Sequence, residues 1–135
     1  MVFFDSPYLI IQYNEELKAL TEEWKLDFTT RVEADTFRQP LESLIWAFRE
    51  RKATKWLCDN TEQKILNSKD QLWLETYYYP QLVQNGLRTV ALINAKNILG
   101  TDYAKNCLQS LNDQTIKIEV FNKNKDGRSW LSSQE

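Results

Sequence analysis

The feature that most constrains this chain is a repeated change of hydrophobic period, from two to about 3.6 and back. Tyr8 to Tyr13 is apolar and rich in β-formers, and Asn14-Glu15-Glu16 makes a polar turn. In the segment that follows, Leu20, Trp24, Leu26 and Phe28 fall on alternate positions, interrupted by Glu22, while Thr21, Glu23, Lys25 and Asp27 point the other way. This predicts a hairpin whose second strand has one buried face and one wet face. From about Asp35 to Lys52 the period switches, because Phe37, Leu41, Leu44, Ile45 and Phe48 recur along one helical stripe. Arg49, Arg51 and Lys52 close that helix where cations favour the negative end of its dipole, and Pro40 belongs in its early turns or kinks them.

The alternation then repeats. Lys55 to Asp59 reads as a short strand, followed by a polar connection over 60–67. Ser68-Lys69-Asp70-Gln71 has the form of a capping box, and Gly86 is placed to stop the helix it opens, with Pro80 as a kink. Arg88 to Ile93 is a nearly continuous apolar run, as expected of a parallel strand covered on both faces. A helix with Ala104, Cys107, Leu108 and Leu111 on one face follows, then a strand over Ile116, Ile118 and Val120 near the sheet edge, then a short helix anchored by Trp130 and Leu131. Such an order implies an α/β fold with an N-terminal hairpin and a mostly parallel sheet, and 135 residues form a single domain over 1–135.

Composition narrows the functional classes. Seventeen basic against nineteen acidic residues leave a net charge of −2, too weak to concentrate nucleic acid or anionic lipid. No apolar stretch approaches the roughly 20 residues that a spanning helix needs, and Met1 to Asp5 lacks the pattern of a signal peptide. The expectation is therefore a cytoplasmic protein in which Cys58 and Cys107 are buried free thiols. No histidine is present, which removes imidazole-based catalysis and most transition-metal sites. Gly86, Gly100 and Gly127 stand apart, so no phosphate-cradling loop can be assembled. The expectation is a protein without metal or cofactor.

Candidate binding residues come from two places. Parallel sheets gather ligands beyond the carboxyl ends of their strands, where the chain offers Asp59, Asn60 and Thr61, then Asn94 and Lys96, then Asn122 and Lys123. Ser68 joins this rim either as a plain helix cap or as a hydroxyl beside anion-favouring amides. The second place is the helix from 69 to 85, where Trp73, Tyr77, Tyr78 and Tyr79 spread over more than one face and cannot all point at one core. Paired acids such as Glu22 and Glu23 are neighbours on a strand, face opposite ways, and read as solvated or structural.

The element order, with Trp56-Leu57-Cys58-Asp59, Asp70-Gln71-Leu72-Trp73, Tyr79-Pro80 and the closing Trp130-Leu131, resembles the SpoIIAA-like branch of the STAS domains over nearly the whole chain. The resemblance implies a group related to bacterial anti-sigma-factor antagonists, regulatory modules that act through protein–protein contacts. It also implies Ser68 as a candidate phosphorylation site, since Asn67-Ser68-Lys69-Asp70 occupies the place of an Asp-Ser-Ser-Gly-like switch in which Ser68 alone matches. The leading expectation is a non-enzymatic module that binds an unknown protein partner. The alternative is a small apolar or lipid-like ligand held among Trp73 and the tyrosines. An enzyme using Asp59, Thr61, Ser68 or Lys96 is the third.

Overall fold

A computed structural model describes residues 1–7, 9–24, 34–60, 68–93, 98–112 and 116–134. Within these, six strands form one sheet: β1 (Val2–Asp5), β2 (Leu9–Asn14), β3 (Ala19–Trp24), β4 (Lys55–Asp59), β5 (Thr89–Ile93) and β6 (Lys117–Phe121). Between and after them lie α1 (Ala34–Arg51), α2 (Ser68–Trp73), a π turn (Leu74–Tyr78), α3 (Tyr79–Gln84), α4 (Ile98–Asn112) and α5 (Asn124–Ser133). The α/β expectation holds. Its hairpin is β2–β3, its parallel strands are β3 to β6, and the predicted helices stand in the predicted places. Tyr8, 25–28, 61–67, 94–97 and the side chains of Phe37 and Leu111 lie outside the described residues.

Two findings depart from the expectation. Val2–Asp5 forms an additional edge strand, antiparallel to β2, with an irregularity between Val2 and Phe4. The second face of β3 is also drier than its polar residues suggest, because Thr21 is fully buried and donates from its hydroxyl to the Gln12 carbonyl.

The strands lie in chain order, β1-β2-β3-β4-β5-β6. Each parallel crossover therefore steps one strand in the same direction, and the right-handed sense of such connections puts α1 to α4 on a single face. Their apolar side chains, among them Leu44, Phe48, Tyr79, Leu82 and Leu108, pack there on Leu20, Trp56, Val90 and Leu92. The opposite face is covered by α5, where Leu131 meets Leu17, Ala19, Leu57, Ala91 and Ile93. Lys55, buried at the start of β4, ties this helix down by donating to the carbonyls of Leu131 (2.9 Å), Gln134 (2.6 Å) and Leu17 (3.4 Å).

Pro80 is accommodated by more than a kink. A proline ring collides with the carbonyl four residues earlier and offers no N–H to it, so the turn before Pro80 widens and the Tyr79 N–H bonds five residues back, to Leu74. The helix then stops at Gly86 as predicted. Gly86 takes φ +112°, while the N–H groups of Gly86 and Leu87 return to the carbonyls of Val83 and Leu82.

Candidate functional site

The carboxyl rim carries less than the sequence suggests. Among the described strands the order never reverses, so they form no crevice of the kind that opens where neighbouring crossovers diverge. Asp59 accepts from the Asn124 side chain at 2.8 Å, Asn124 donates also to Glu23 at 3.2 Å, and Arg128 closes the cluster with a 3.1 Å bond to Glu23. These groups dock the first turns of α5 against the sheet. Asn60 is buried, with its N–H on the Ile93 carbonyl and its side chain 3.3 Å from the Cys58 sulfur. Ser68 is the first residue of α2 and exposed; Thr61, Asn94 and Lys96 lie outside the described residues.

The aromatic helix divides its residues sharply. Tyr78 and Tyr79 are buried in the core, Tyr77 is exposed, and Trp73 is half-buried. Tyr78 is therefore held inside rather than offered to a partner. Its ring stacks on Trp73 with centroids 5.5 Å apart and planes at 16°, and Trp73 leans in turn on Tyr77 at 5.5 Å.

The surface beside them belongs to α1. Gln39, Glu42, Trp46 and Arg49 recur at spacings of three, four and three, which places them along one helical face, opposite the stripe of Leu41, Leu44, Ile45 and Phe48. Trp46 is 63% exposed on that face, with the Arg49 guanidinium 5.9 Å from its ring centre. Arg38 lies 5.7 Å over Trp73 and pairs with the buried Asp70 at 3.3 Å. Arg49 also donates to Asn85 at 3.1 Å, and the Tyr77 hydroxyl meets the Glu42 carboxylate. Desolvation, then the Glu42 charge and its hydrogen bond, push the Tyr77 phenol above its ordinary pKa. Arg38, Gln39, Glu42 and Trp73 border an open groove of about 440 Å³. Two tryptophans and a tyrosine interleaved with two arginines form a surface rich in the residue types that dominate protein interfaces.

No family model matches the chain, and neither a curated protein nor a solved structure does so.

Beneath this surface lies a group that the sequence pattern does not single out. Glu22 is buried between Leu20 and Trp24 on the helix-covered face of β3. Its Oε1 accepts from the Tyr78 hydroxyl at 2.8 Å; its Oε2 accepts from the Trp24 indole at 2.8 Å and faces the Cys58 thiol at 3.7 Å. Burial pushes the Glu22 carboxyl up from its ordinary pKa, opposed by the bonds from Tyr78, Trp24 and Cys58, all of which favour the charged form. Burial, reinforced by the Glu22 and Asp59 charges, pushes the Cys58 thiol well up, so it is neutral and a poor nucleophile. Both cysteines are free and buried, and the described residues contain no cluster suited to a metal ion.

In sequence, Glu22 merely breaks an alternation, and nothing local marks it as a hub. Trp46, by contrast, had a legible signal, a tryptophan on the polar stripe of an amphipathic helix.

Proposed function

We propose that this chain is a non-enzymatic binding domain that engages a protein partner through the face formed by α1, α2 and the π turn. The observation that carries this reading is the exposure of Trp46 on a helical stripe it shares with Glu42 and Arg49, next to Trp73 and Tyr77. A large aromatic side chain in water forgoes its burial energy, and a partner that covers it recovers that energy. The arginines stacked over the rings are already restrained by Asp70 and Asn85, so a partner orders them at reduced entropic cost.

The resemblance to SpoIIAA-like STAS domains points to the same class of action, regulation by protein contact. On that reading Ser68 is a phosphorylation site. It is exposed at the start of α2, where a phosphate gains from Lys69 and competes with Asp70 for Arg38. The apolar-ligand reading draws less support, because Tyr78 and Tyr79 are consumed by the core and the groove beside Trp73 is open and edged by Arg38 and Glu42.

The test is affinity capture from the native host by the wild-type chain and by Trp46→Ala and Tyr77→Ala variants shown by circular dichroism to be folded. A partner retained by the wild type and lost by both variants supports the reading. A partner bound equally by all three places the interface elsewhere.

A further inference from the structure

We propose that Glu22 is a buried proton switch for the docking face, holding the π turn through Tyr78 when ionised and releasing that hold when it takes up a proton. The inference rests on the reading of this face as the docking surface and adds its regulation.

Hydrogen counting on the cluster carries the argument. An ionised carboxylate only accepts, and here it meets two firm donors, the Tyr78 hydroxyl on Oε1 and the Trp24 indole N–H on Oε2, with the Cys58 thiol near Oε2 dividing its one hydrogen between Glu22 and Asn60. Of the three groups only the Tyr78 oxygen is a good acceptor, since the indole cannot accept and the Cys58 sulfur accepts weakly, so the proton is best placed on Oε1, where it reverses the 2.8 Å bond and makes Tyr78 the acceptor. The phenolic hydrogen then loses its acceptor, because Glu22 is the one partner of that hydroxyl among the described residues. The widened turn before Pro80 is what carries Tyr78 to the carboxylate, and the stack from Tyr78 to Trp73 to Tyr77 leads from the bond to the surface.

No described cation competes for the charge. From β3 itself the neighbours are Trp24 and Leu20; from β2, Ile11 lies directly opposite; from β4 come Cys58 and Asn60, with Asp59 on the far face of the strand. The π turn and α3 supply Tyr78 and Tyr79, behind which stand Tyr103 and Cys107 of α4, with Glu75 bonded to Tyr103. Helix α1 contributes apolar side chains to this core, among them Leu41, Leu44 and Phe48. The carboxyl is thus a lone buried acid among neutral titratable groups, each with a pKa pushed up by burial first. Its proton affinity rises with the fold while its ionised form retains the better hydrogen-bond geometry, and those two tendencies together make a two-state element.

The experiment is an NMR titration of the full free chain between pH 4 and 9, following the Glu22 carboxyl carbon, the Trp73 indole N–H and the Tyr77 ring. The expected result is one shared midpoint above 4.5, the ordinary glutamate value, with Trp73 and Tyr77 motionless over that range in Glu22→Gln. Tyr78→Phe keeps the ring stack and removes the link; in it Glu22 still titrates, at a higher midpoint, and Trp73 no longer follows. The proposal is overturned if Glu22 fails to titrate in this range, if it titrates without moving Trp73 and Tyr77, or if their movement persists in either variant. Should Glu22→Gln fail to fold, Tyr78→Phe alone decides. Because no partner is present, the titration can fail while the Trp46 and Tyr77 captures succeed, and the reverse, so the two readings fall separately.

Discussion

Placing a methyl group on Gly127 tests how closely α5 rides on the sheet. Gly127 is buried in the first half of the helix, and a Cβ built on it lies 2.5 Å from Ile93 Cδ1 and 3.4 Å from both Leu57 Cδ1 and Phe121 Cδ2. Carbon atoms pack best at roughly 3.5–4.0 Å, so Ile93 Cδ1 has to retreat by about 1 Å. Ile93 is fully enclosed and cannot turn into solvent. Overpacking of this kind costs about 1–3 kcal/mol, against about 1 kcal/mol gained by replacing glycine with alanine inside a helix. Gly127→Ala should therefore lose about 1 kcal/mol net. The decisive comparison is the double mutant. Ile93→Val alone should cost about 0.5–1.5 kcal/mol, but it deletes the same methyl that the added Cβ strikes. In the Gly127→Ala background it should be neutral or stabilising, a coupling of about 1–2 kcal/mol between touching residues. Equilibrium urea unfolding reads this out, since a slope of about 1–3 kcal/mol per molar makes 1 kcal/mol a midpoint shift of about 0.3–1 M. Additivity within about 0.5 kcal/mol would refute the reasoning and mean that α5 stands further from β5 than the packing implies.

Three further outcomes are expected. Glu22 binds its proton more tightly in the fold than in the unfolded chain, so its contribution is full below 4.5 and is lost as pH rises through the folded value; urea midpoints of Glu22→Gln should gain on the wild type across that rise. Lys55 has the opposite shift, pushed below 10.5 first by burial and then by Lys18, so its contribution is present above 10.5 and lost as pH falls through the folded value. Lys55→Met should flatten that slope, and at neutral pH should cost about 3–6 kcal/mol as the carbonyls of Leu131 and Gln134 lose two charge-assisted bonds worth about 1.5–3 kcal/mol each. Leu131→Ala should cost about 2–5 kcal/mol in thermal or urea unfolding, because the side chain is wholly enclosed, while leaving the fluorescence of the exposed Trp46 unchanged.

Periodicity made most of the elements legible. The stripe from Leu41 to Phe48 and the all-apolar run of β5 each have a single physical solution, and the capping signals at Ser68 and Gly86 bracket a real helical stretch. Val2–Asp5 escapes such reading because four residues at a sheet edge are too few to show an alternation. Glu22 escapes it for a different reason. Its donors stand 2, 36 and 56 residues away, and only the assembled sheet brings them to one carboxylate. Pro80 announced a disturbance but not its form, since the wide turn is also shaped by what Tyr78 reaches. Strand order was equally silent, because crossovers of similar length can step to either side of a sheet. The docking face was half visible, with Trp73 and Tyr77 prominent in the sequence and Trp46 marked by its place on the polar stripe of α1, while Gln39 and Glu42 beside it are indistinguishable from ordinary polar surface.

A sheet whose strands are laid down in the order of their synthesis can be assembled as the chain emerges, each new strand finding its neighbour already in place. The side that α1 to α4 protect is roofed progressively along the way. The other side is not, for Ala19, Leu57, Ala91 and Ile93 await a helix that the ribosome makes only after all six strands. Until α5 arrives, the nascent molecule carries an uncovered hydrophobic plane, and truncation before Asn124 would make that transient hazard permanent.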